Sequence, residues 1–550
     1  MALMSAFTSG SVPEHGEESH TDSGVTAGLY SWPVTFTVNA AGHLTQAARS
    51  YDNTLTYAAH ALVIGSDSNI YRAKTTTVGN DPTTNDGDEW ELLIVTANTT
   101  LSVAAAGRFT TPSAAYAFVK NAIIHDGAAV TISIAAGTFT ESAAIEIASP
   151  YGSRLGFAGA GSGSTTVHFN TASAGTSGFV ILTGCALGSS DKAGLASLTI
   201  KGTWTGDAST TGSGKSAIFV SQGGAYYGGS DVKVLEYYYG VNASGAAYAQ
   251  GMTVTTCGDA GFHSFRSGHV DCSSSTVTGA GDSTNTLGAG AAAERGGTII
   301  ADGITCSSCL LAGLYVPGGT MRADTYTLNS NDLDGIRISA GGRFSSSGTG
   351  TADSCGGIGL NVQYGTAHLS GTSHSFDSNT SHGIYIAMGS SVQIRAATTC
   401  SSNGGSGIRI EGGDLFQAAN ITCNSNTSHG MQISACGRLG RASGVFTANS
   451  NTIDGVRLSI MSIADLTSAV LGNTGAGNGG VGLNAFSISR GSASGATIRD
   501  NVSFGGAISD GAYIIVTDAN VTNNNGGGGV EFSPNTEDAD AASNGYIRTL

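Results

Sequence analysis

Residues 424–439 read NSNTSHGMQISACGRL: two asparagines, a His-Gly step, an alternating apolar stretch and a second glycine. The same phrase stands at 401–416 (SSNGGSGIRIEGGDLF), at 377–392 (DSNTSHGIYIAMGSSV) and at 329–344 (NSNDLDGIRISAGGRF). A repeat of this length has to be recognised before any single element is assigned. Glycines that precede an alternating stretch fall at Gly297, Gly319, Gly342, Gly365, Gly389, Gly413 and Gly437, 22 to 24 residues apart. A second set, Gly313, Gly335, Gly357, Gly383, Gly407, Gly430 and Gly455, keeps nearly the same step.

Two further columns lie between these anchors. Cys306, Leu328, Ala352, Phe376, Cys400, Cys423 and Ala448 align as an apolar column, in which a free cysteine packs as a small hydrophobe. Three residues downstream, Asn331, Asn379, Asn403, Asn426 and Asn451 align as an amide column, predicting a ladder in which each side chain bonds its equivalent one repeat away. Three short strands per repeat make each repeat one coil of an all-β parallel β-helix, coils stacked at ~4.8 Å. On this reading Gly and Asn supply the positive-φ corners. His382 and His429 take the polar corner place held elsewhere by Asp334, Ser406 and Asp454. The regular Leu spacing of a leucine-rich repeat and the amphipathic helices of a barrel or doubly wound sheet are both missing.

Composition excludes several functions. Charged residues make up 11% of the chain, and 83 Gly stand against 7 Pro, a balance unlike that of a helical enzyme or a disordered linker. A formal net charge of -16 and the lack of a basic run leave no footprint for nucleic acid. No apolar run approaches the ~20 residues that span a bilayer, and the first residues lack the pattern of a secretory signal, so a soluble chain made in a cytoplasm is expected. Nine Cys without paired zinc-site spacing predict buried thiols, no metal site and no cofactor.

The ends differ from the middle. In 109–125, FTTPSAAYAFVKNAIIH, Thr111 can cap a helix, Pro112 suits its first position, and Ala115, Phe118, Val119 and Ile123 give an apolar stripe. A helix there would cover the open edge of the stack. The expected organisation is a flexible or attachment segment at 1–29, a small β-domain at 30–100, the β-helix with its capping helix at 101–530, and a tail at 531–550.

Within the small domain, Tyr57, Gly65, Tyr71, Ala73, Gly79, Pro82 and Trp90 follow a pattern that resembles the carbohydrate-binding modules of chitinases. That resemblance implies sugar stacking on Trp90 and Tyr71, although Trp90 also reads as core. The order of small adaptor-like domain, capping helix, AAGTFTES opening (135–142) and long solenoid resembles bacteriophage tailspike and tail-fibre proteins with a right-handed, pectate-lyase-like β-helix. The resemblance implies a virion-borne homotrimer, attached to other tail or baseplate proteins through its N-terminal region. It further implies recognition, and often cleavage, of a bacterial surface polysaccharide. The alternative is a structural or adhesive fibre that binds a host receptor without chemistry.

Glycan hydrolysis needs two carboxylates, so columns holding two acids in adjacent coils are the place to search. Asp302 and Asp324 both fall five residues after their glycines, and their proximity would split an acid from a base. Arg322, Asp271, Arg343 and Glu294 are the expected substrate-binding neighbours, with His269, His368 and Arg295 nearby. Tyr227 (or Tyr226), Tyr248 and the run Tyr237 to Tyr239 form an aromatic wall that suits a glycan groove or a trimer interface. Asp302 and Asp324 also read as a solvated turn. A second acid pair, Asp353 and Asp377, shares its column with Ser and Asn and is explained by turn formation.

Overall fold

The computed structural model describes residues 49–516 apart from 85–86, 171–176, 205–215, 282–287 and 474, together with strands Phe36–Val38, Leu44–Ala47, Asn520–Val521 and Tyr546–Thr549. The expected attachment segment at 1–29 lies outside the described residues. So does most of the expected tail, whose strand Tyr546–Thr549 pairs in parallel with Tyr513–Val516.

From Thr99 onward the chain winds as a parallel β-helix. One coil shows the pattern: strands Ile384–Ala387, Ser391–Ile394 and Ala397–Thr399, after which Ile408 lies directly beside Ile384. Among the described residues, most coils give two strands to a long sheet of 29 strands and the third to a second sheet of 15, while the first coils put Thr99–Val103, Val130–Ile134, Leu155–Ala158 and Leu195–Ala196 in a separate sheet of four. Alternate side chains point inward. The resulting core is one continuous cluster that contains Cys306, Leu328, Ala352, Phe376, Cys400, Cys423 and Ala448 at 0% exposure, the predicted apolar column.

The asparagine ladder is present from Asn403 onward and runs further toward the C-terminus than the sequence suggested, whereas Asn331 Nδ2 turns back to Leu328 O (2.8 Å) and Asn379 meets Asn403 only through its backbone N–H. Asn403 Nδ2 donates to Asn426 Oδ1 (3.1 Å), Asn426 to Asn451 (2.9 Å), Asn451 to Asn478 (2.9 Å) and Asn478 to Asn501 (2.8 Å). Each Oδ1 also accepts the backbone N–H of the asparagine one coil before it, at 2.9 to 3.1 Å. Asn478 and Asn501 escape a sequence count because the period loosens past residue 457. The neighbouring column works similarly, with Asp353 Oδ1 accepting Asp377 N (2.7 Å) and Asp377 Oδ1 accepting Ser401 N (2.5 Å). His382 Nδ1 and His429 Nδ1 accept backbone N–H groups of the next coil, from Ser406 (2.9 Å) and Asp454 (3.2 Å).

The corners correct the sequence reading in two ways. Asparagine does not hold the left-handed corner: serine does, at Ser308, Ser330, Ser354, Ser378, Ser402, Ser425 and Ser450, with φ between 54° and 59°. The asparagine follows the corner and points inward, so its amide is spent on the next coil rather than on its own turn. Nor do the strand-opening glycines need positive φ. A Cβ on Gly383 would lie 2.8 Å from Cys400 Cβ and 2.9 Å from Asn403 Nδ2, so close packing excludes a side chain there. That column runs through Gly359 rather than Gly357, and Ser390 rather than Gly389 aligns with Gly365.

The same closeness makes a stability prediction. A Cβ on Gly350 would stand 2.0 Å from Tyr326 Cζ. The Tyr326 ring is held in place: its hydroxyl bonds His374 Nδ1 (3.1 Å), whose Nε2 in turn donates to Ser370 O (3.0 Å). Gly350→Ala should lower stability by about 1–3 kcal/mol, read from the denaturant midpoint at unchanged m-value.

Helix α1 spans Pro112–Val119, with Thr111 Oγ1 accepting Ala114 N and Pro112 opening the first turn. Ala115, Phe118 and Val119 are buried as expected, and the helix packs on the first solenoid strands. Ile123 is not on it. Ile123–Ile124 is a strand that adds in parallel to Trp90–Val95, and Ile123 is exposed. Upstream, Leu62–Ile64, Ile70–Ala73 and Trp90–Val95 form an antiparallel meander whose core is continuous with that of the solenoid. Trp90 is wholly buried, its ring edge-on to Tyr57 and its indole N–H on Asn80 O (2.8 Å), and Tyr71 is equally buried. Neither ring has a face to offer a sugar.

Candidate active site

Two strands, Val232–Ala243 and Thr253–Ser264, run for 12 residues each, because two strands of a coil continue through a single left-handed residue, Glu236 or Thr256, without a loop. Beyond that bend the register slips. Tyr237 pairs with Cys257 but Tyr239 pairs with Ala260, leaving Gly258 and Asp259 opposite Tyr238 alone. This is a β-bulge, the device that re-aims a side chain at the cost of one ladder position. Only glycine fits at 258, where a Cβ would meet Tyr238 (2.8 Å) and Trp204 (2.9 Å).

The bulge turns Asp259 into a nearly closed site, at 4% exposure. Burial drives its carboxyl pKa up to about 6, against a contact from the Tyr239 hydroxyl and the charge of His263, while the Glu294 charge pushes it further upward. Glu294 enters from the turn after strand Ala289–Ala293, its backbone N–H on Ser264 O (2.8 Å). The His263 ring, its Nε2 3.6 Å from Oε2, holds the Glu294 carboxyl below its ordinary range. His263 is fixed in turn, its Nδ1 bonded to Asn242 Oδ1 (3.0 Å) and its ring stacked between Tyr239 (4.9 Å) and Phe265 (5.3 Å). Arg266 and Arg295 stand at the rim, both in left-handed turns. Tyr239, Asn242, His263, Phe265, Arg266, Glu294 and Arg295 line a cleft of ≈ 680 Å³, within the range of small-ligand sites, while Asp259 lies outside that lining, buried against the Tyr239 hydroxyl. Glu294 on the cleft and Asp259 buried near enough to feel its charge, one tending to lose its proton and the other to keep it, are a pair of the kind that divides general base from general acid.

The residues singled out from the sequence fall into two places. Tyr227, Tyr248, Asp271 and Arg322 share one register line of the second sheet, with Ile300 between the last two, and Tyr227 stacks on Tyr248 at 4.7 Å. Arg343 lies on a neighbouring line, in register with Thr320. Asp302 and Asp324 are adjacent as their column predicts, but Arg322 lies between them. Its Nη2 bonds Asp302 Oδ2 (2.5 Å), its Nε is 3.8 Å from Asp324 Oδ2, and the Asp302 contact raises the pKa of the guanidinium. Asp302 Oδ1 accepts Asp324 N (2.8 Å), and Asp324 Oδ1 accepts Ser347 Oγ (2.6 Å). This is an ion-paired network on an open sheet. Of the residues singled out, Glu294, Arg295 and Tyr239 belong to the cleft.

No family model matches the sequence, and no curated protein matches it. Solved structures do resemble it in fold. Gene product 12 of bacteriophage phi29 is similar at 12% identity and TM-score 0.35, over 72% of this chain and 68% of that one. The catalytic domain of a GH87 alpha-1,3-glucanase in complex with nigerose matches at 11% and 0.25, over 82% and 68%. ORF18 of Geobacillus virus E2 matches at 11% and 0.25, over 74% and 72%. Likenesses this loose say nothing of what this chain binds or cleaves.

Sequence reasoning missed Asp259, His263 and Asn242. The signal was a break in the repeat: TTCGDAGFHS (255–264) carries Thr256 where later coils carry the corner Ser, and Cys257 where they carry the ladder Asn. A search for paired acids in matching columns passes over it, since Asp259 is the bulged residue and Glu294 lies in a turn. Among the described residues no group of three or more His, Cys, Asp or Glu is disposed to hold a metal ion.

Proposed function

We propose that the chain is a phage tail protein that binds and hydrolyses a bacterial surface polysaccharide in the cleft of Asp259 and Glu294. The observation that carries this reading is the pair itself: Glu294 lines a partly closed cleft walled by an aromatic stack, and Asp259, buried against the Tyr239 of that wall, is coupled to Glu294 with the opposite pKa shift. In the reaction Asp259 protonates the leaving glycosidic oxygen. Glu294, ionised and oriented by His263, activates water or attacks the anomeric carbon. Tyr239 and Phe265 exclude water, and Arg266 and Arg295 hold substrate hydroxyl or acidic groups.

The test is incubation of the protein with bacterial capsular and O-antigen polysaccharides, measuring new reducing ends. Unsaturated-uronate absorbance in place of hydrolysis would assign lyase chemistry. Binding without either product would leave the adhesive fibre. Asp302→Asn and Asp324→Asn are the internal control. Lying on an open sheet and already engaged by Arg322, both should keep cleavage within about threefold of the parent, as surface substitutions away from the chemistry do.

Assembly as a homotrimer, carried on the virion through the N-terminal region, extends the same proposal. It is supported by a ridge along one corner of the solenoid, where Tyr364, Met388, Ile460, Met461 and Ile488 are at least half exposed and all adopt positive φ. A β-branched residue in that conformation is strained, and an exposed apolar row calls for a covering surface. Sedimentation equilibrium should give three times the chain mass of 54.8 kDa, and Ile460→Asp with Ile488→Asp should reduce it to one.

A further inference from the structure

A single register line of the long sheet leads out of the cleft. Asn242 pairs with His263 and His263 with Ala292. Coil by coil the line then passes through Tyr315, Arg337, Asn361, Tyr385 and Arg409, and two coils later through Arg457. Cleft and line are one surface, because Tyr239 and Tyr315 pack on the same small cluster of Ala260, Ala289 and Ala292.

The charge on this line runs against that of the molecule. In a chain of formal net charge -16, three guanidinium groups share one outward position. Their local partners leave capacity to spare. Arg337 is 4.0 Å from Asp334, whose oxygens already accept Ile358 N and Asn361 Nδ2. Arg409 pairs with Glu411, which also accepts the Tyr385 hydroxyl. Arg457 lies over the Phe486 ring at 5.0 Å, and its buried Nε makes no hydrogen bond among the described residues. A buried N–H without an acceptor is unfavourable until an acceptor arrives. With strands ~4.8 Å apart, Arg337 and Arg409 are separated by ~14 Å and Arg409 and Arg457 by ~10 Å. Such spacing suits a polymer whose charge recurs, rather than one small anion.

We infer that this line is an extended binding track for an anionic polysaccharide, whose carboxylate or phosphate groups engage Arg337, Arg409 and Arg457 while its sugar rings lie against Tyr315. The track feeds one end of the polymer into the cleft. The inference rests on the glycan reading above, and its test separates the two.

The intact protein is titrated with polygalacturonate, hyaluronate and poly(glycerol phosphate), and with dextran and carboxyl-reduced polygalacturonate as neutral counterparts. At least one anionic polymer should bind, more weakly as salt rises, and the carboxylate and phosphate arms decide which anion is read. Arg457→Gln and Arg409→Gln should each lower that affinity about ten- to a hundredfold, with Arg457→Lys in between, and Asp302→Asn, beside Arg322 on the other sheet, should leave it unchanged. Equal binding of native and carboxyl-reduced polymer, retention of no anionic polymer, or indifference to both arginine variants at unchanged thermal midpoint would overturn the track. A change of sedimenting mass in Arg457→Gln would likewise overturn it, by assigning this face to contact between copies. Cleavage of a neutral glycan that depends on Asp259 but not on the arginines would sink the track and leave the cleft reading intact. Arginine-dependent binding without cleavage would do the reverse.

Discussion

Asp259→Asn and Glu294→Gln should each cut the rate of reducing-end formation about 10²- to 10⁴-fold, the usual contribution of a positioned acid or base. Both replacements preserve shape, and the Tyr239 hydroxyl and the His263 ring keep an acceptor in each. The pH profile of the parent protein carries the sign. The acid must hold its proton, and the Asp259 carboxyl titrates at about 6. Glu294 must be ionised, and its contact with His263 keeps it so at lower pH than an ordinary glutamate. Cleavage should therefore be steady on the acid side of about 6 and fall by about tenfold per pH unit above it. An activity that rises through neutrality would reverse the two roles.

The same buried carboxyl links function to stability. Its folded-state pKa of about 6 exceeds the ordinary aspartate value of 3.8, so the folded state holds the proton more tightly. The stability this gives is complete below pH ~4 and is lost as pH rises toward ~6. The loss amounts to about 3 kcal/mol, a little over two pKa units at 1.36 kcal/mol each. Asp259→Asn should accordingly stabilise the protein by about that amount at pH 8 and change little at pH 4, as measured by denaturant titration at both values. A variant equally stable at both pH values would mean that Asp259 is solvated.

Asn426→Ala has the other large effect. It removes the acceptor of both Asn403 N and Asn403 Nδ2, and the donor to Asn451 Oδ1. All of these groups are buried. Two orphaned donors at about 1–3 kcal/mol each predict a loss of about 2–5 kcal/mol, larger than a typical core truncation of similar volume. Asn426→Asp restores the acceptor but sets a carboxylate oxygen against Asn451 Oδ1, so its stability should recover as pH falls and the carboxyl protonates. An exposed ladder would give neither result.

How far the fold could be read from the sequence follows from what a repeat averages over. Cys400, Cys423, Asn403 and Asn426 recur in register and face a dry core, so the chain's periodicity carries their positions directly. Ser402 and Ser425 recur as regularly, yet their left-handed φ was credited to asparagine, because serine is common enough in this chain to pass as filler. The acid–base cleft was illegible for the opposite reason. Asp259 lies on a bulge and Glu294 in a turn, and both are deviations from the period rather than members of it. Asp302 and Asp324 obey the period, and their regularity made them conspicuous. What alignment could not convey is that Arg322, from the same column set, satisfies them both. Trp90 was ambiguous between core and surface until its indole N–H was found on Asn80 O inside the small domain.

The most direct test is a crystal structure of the Asp259→Asn protein with a bound oligosaccharide that the parent protein cleaves. The glycosidic oxygen should lie within hydrogen-bonding distance of residue 259, the anomeric carbon should face Glu294, and the remaining sugars should follow the line from Tyr315 toward Arg457. A glycan bound instead on the second sheet, across Tyr227, Tyr248 and Arg322 with the cleft empty, would contradict the assignment of the site.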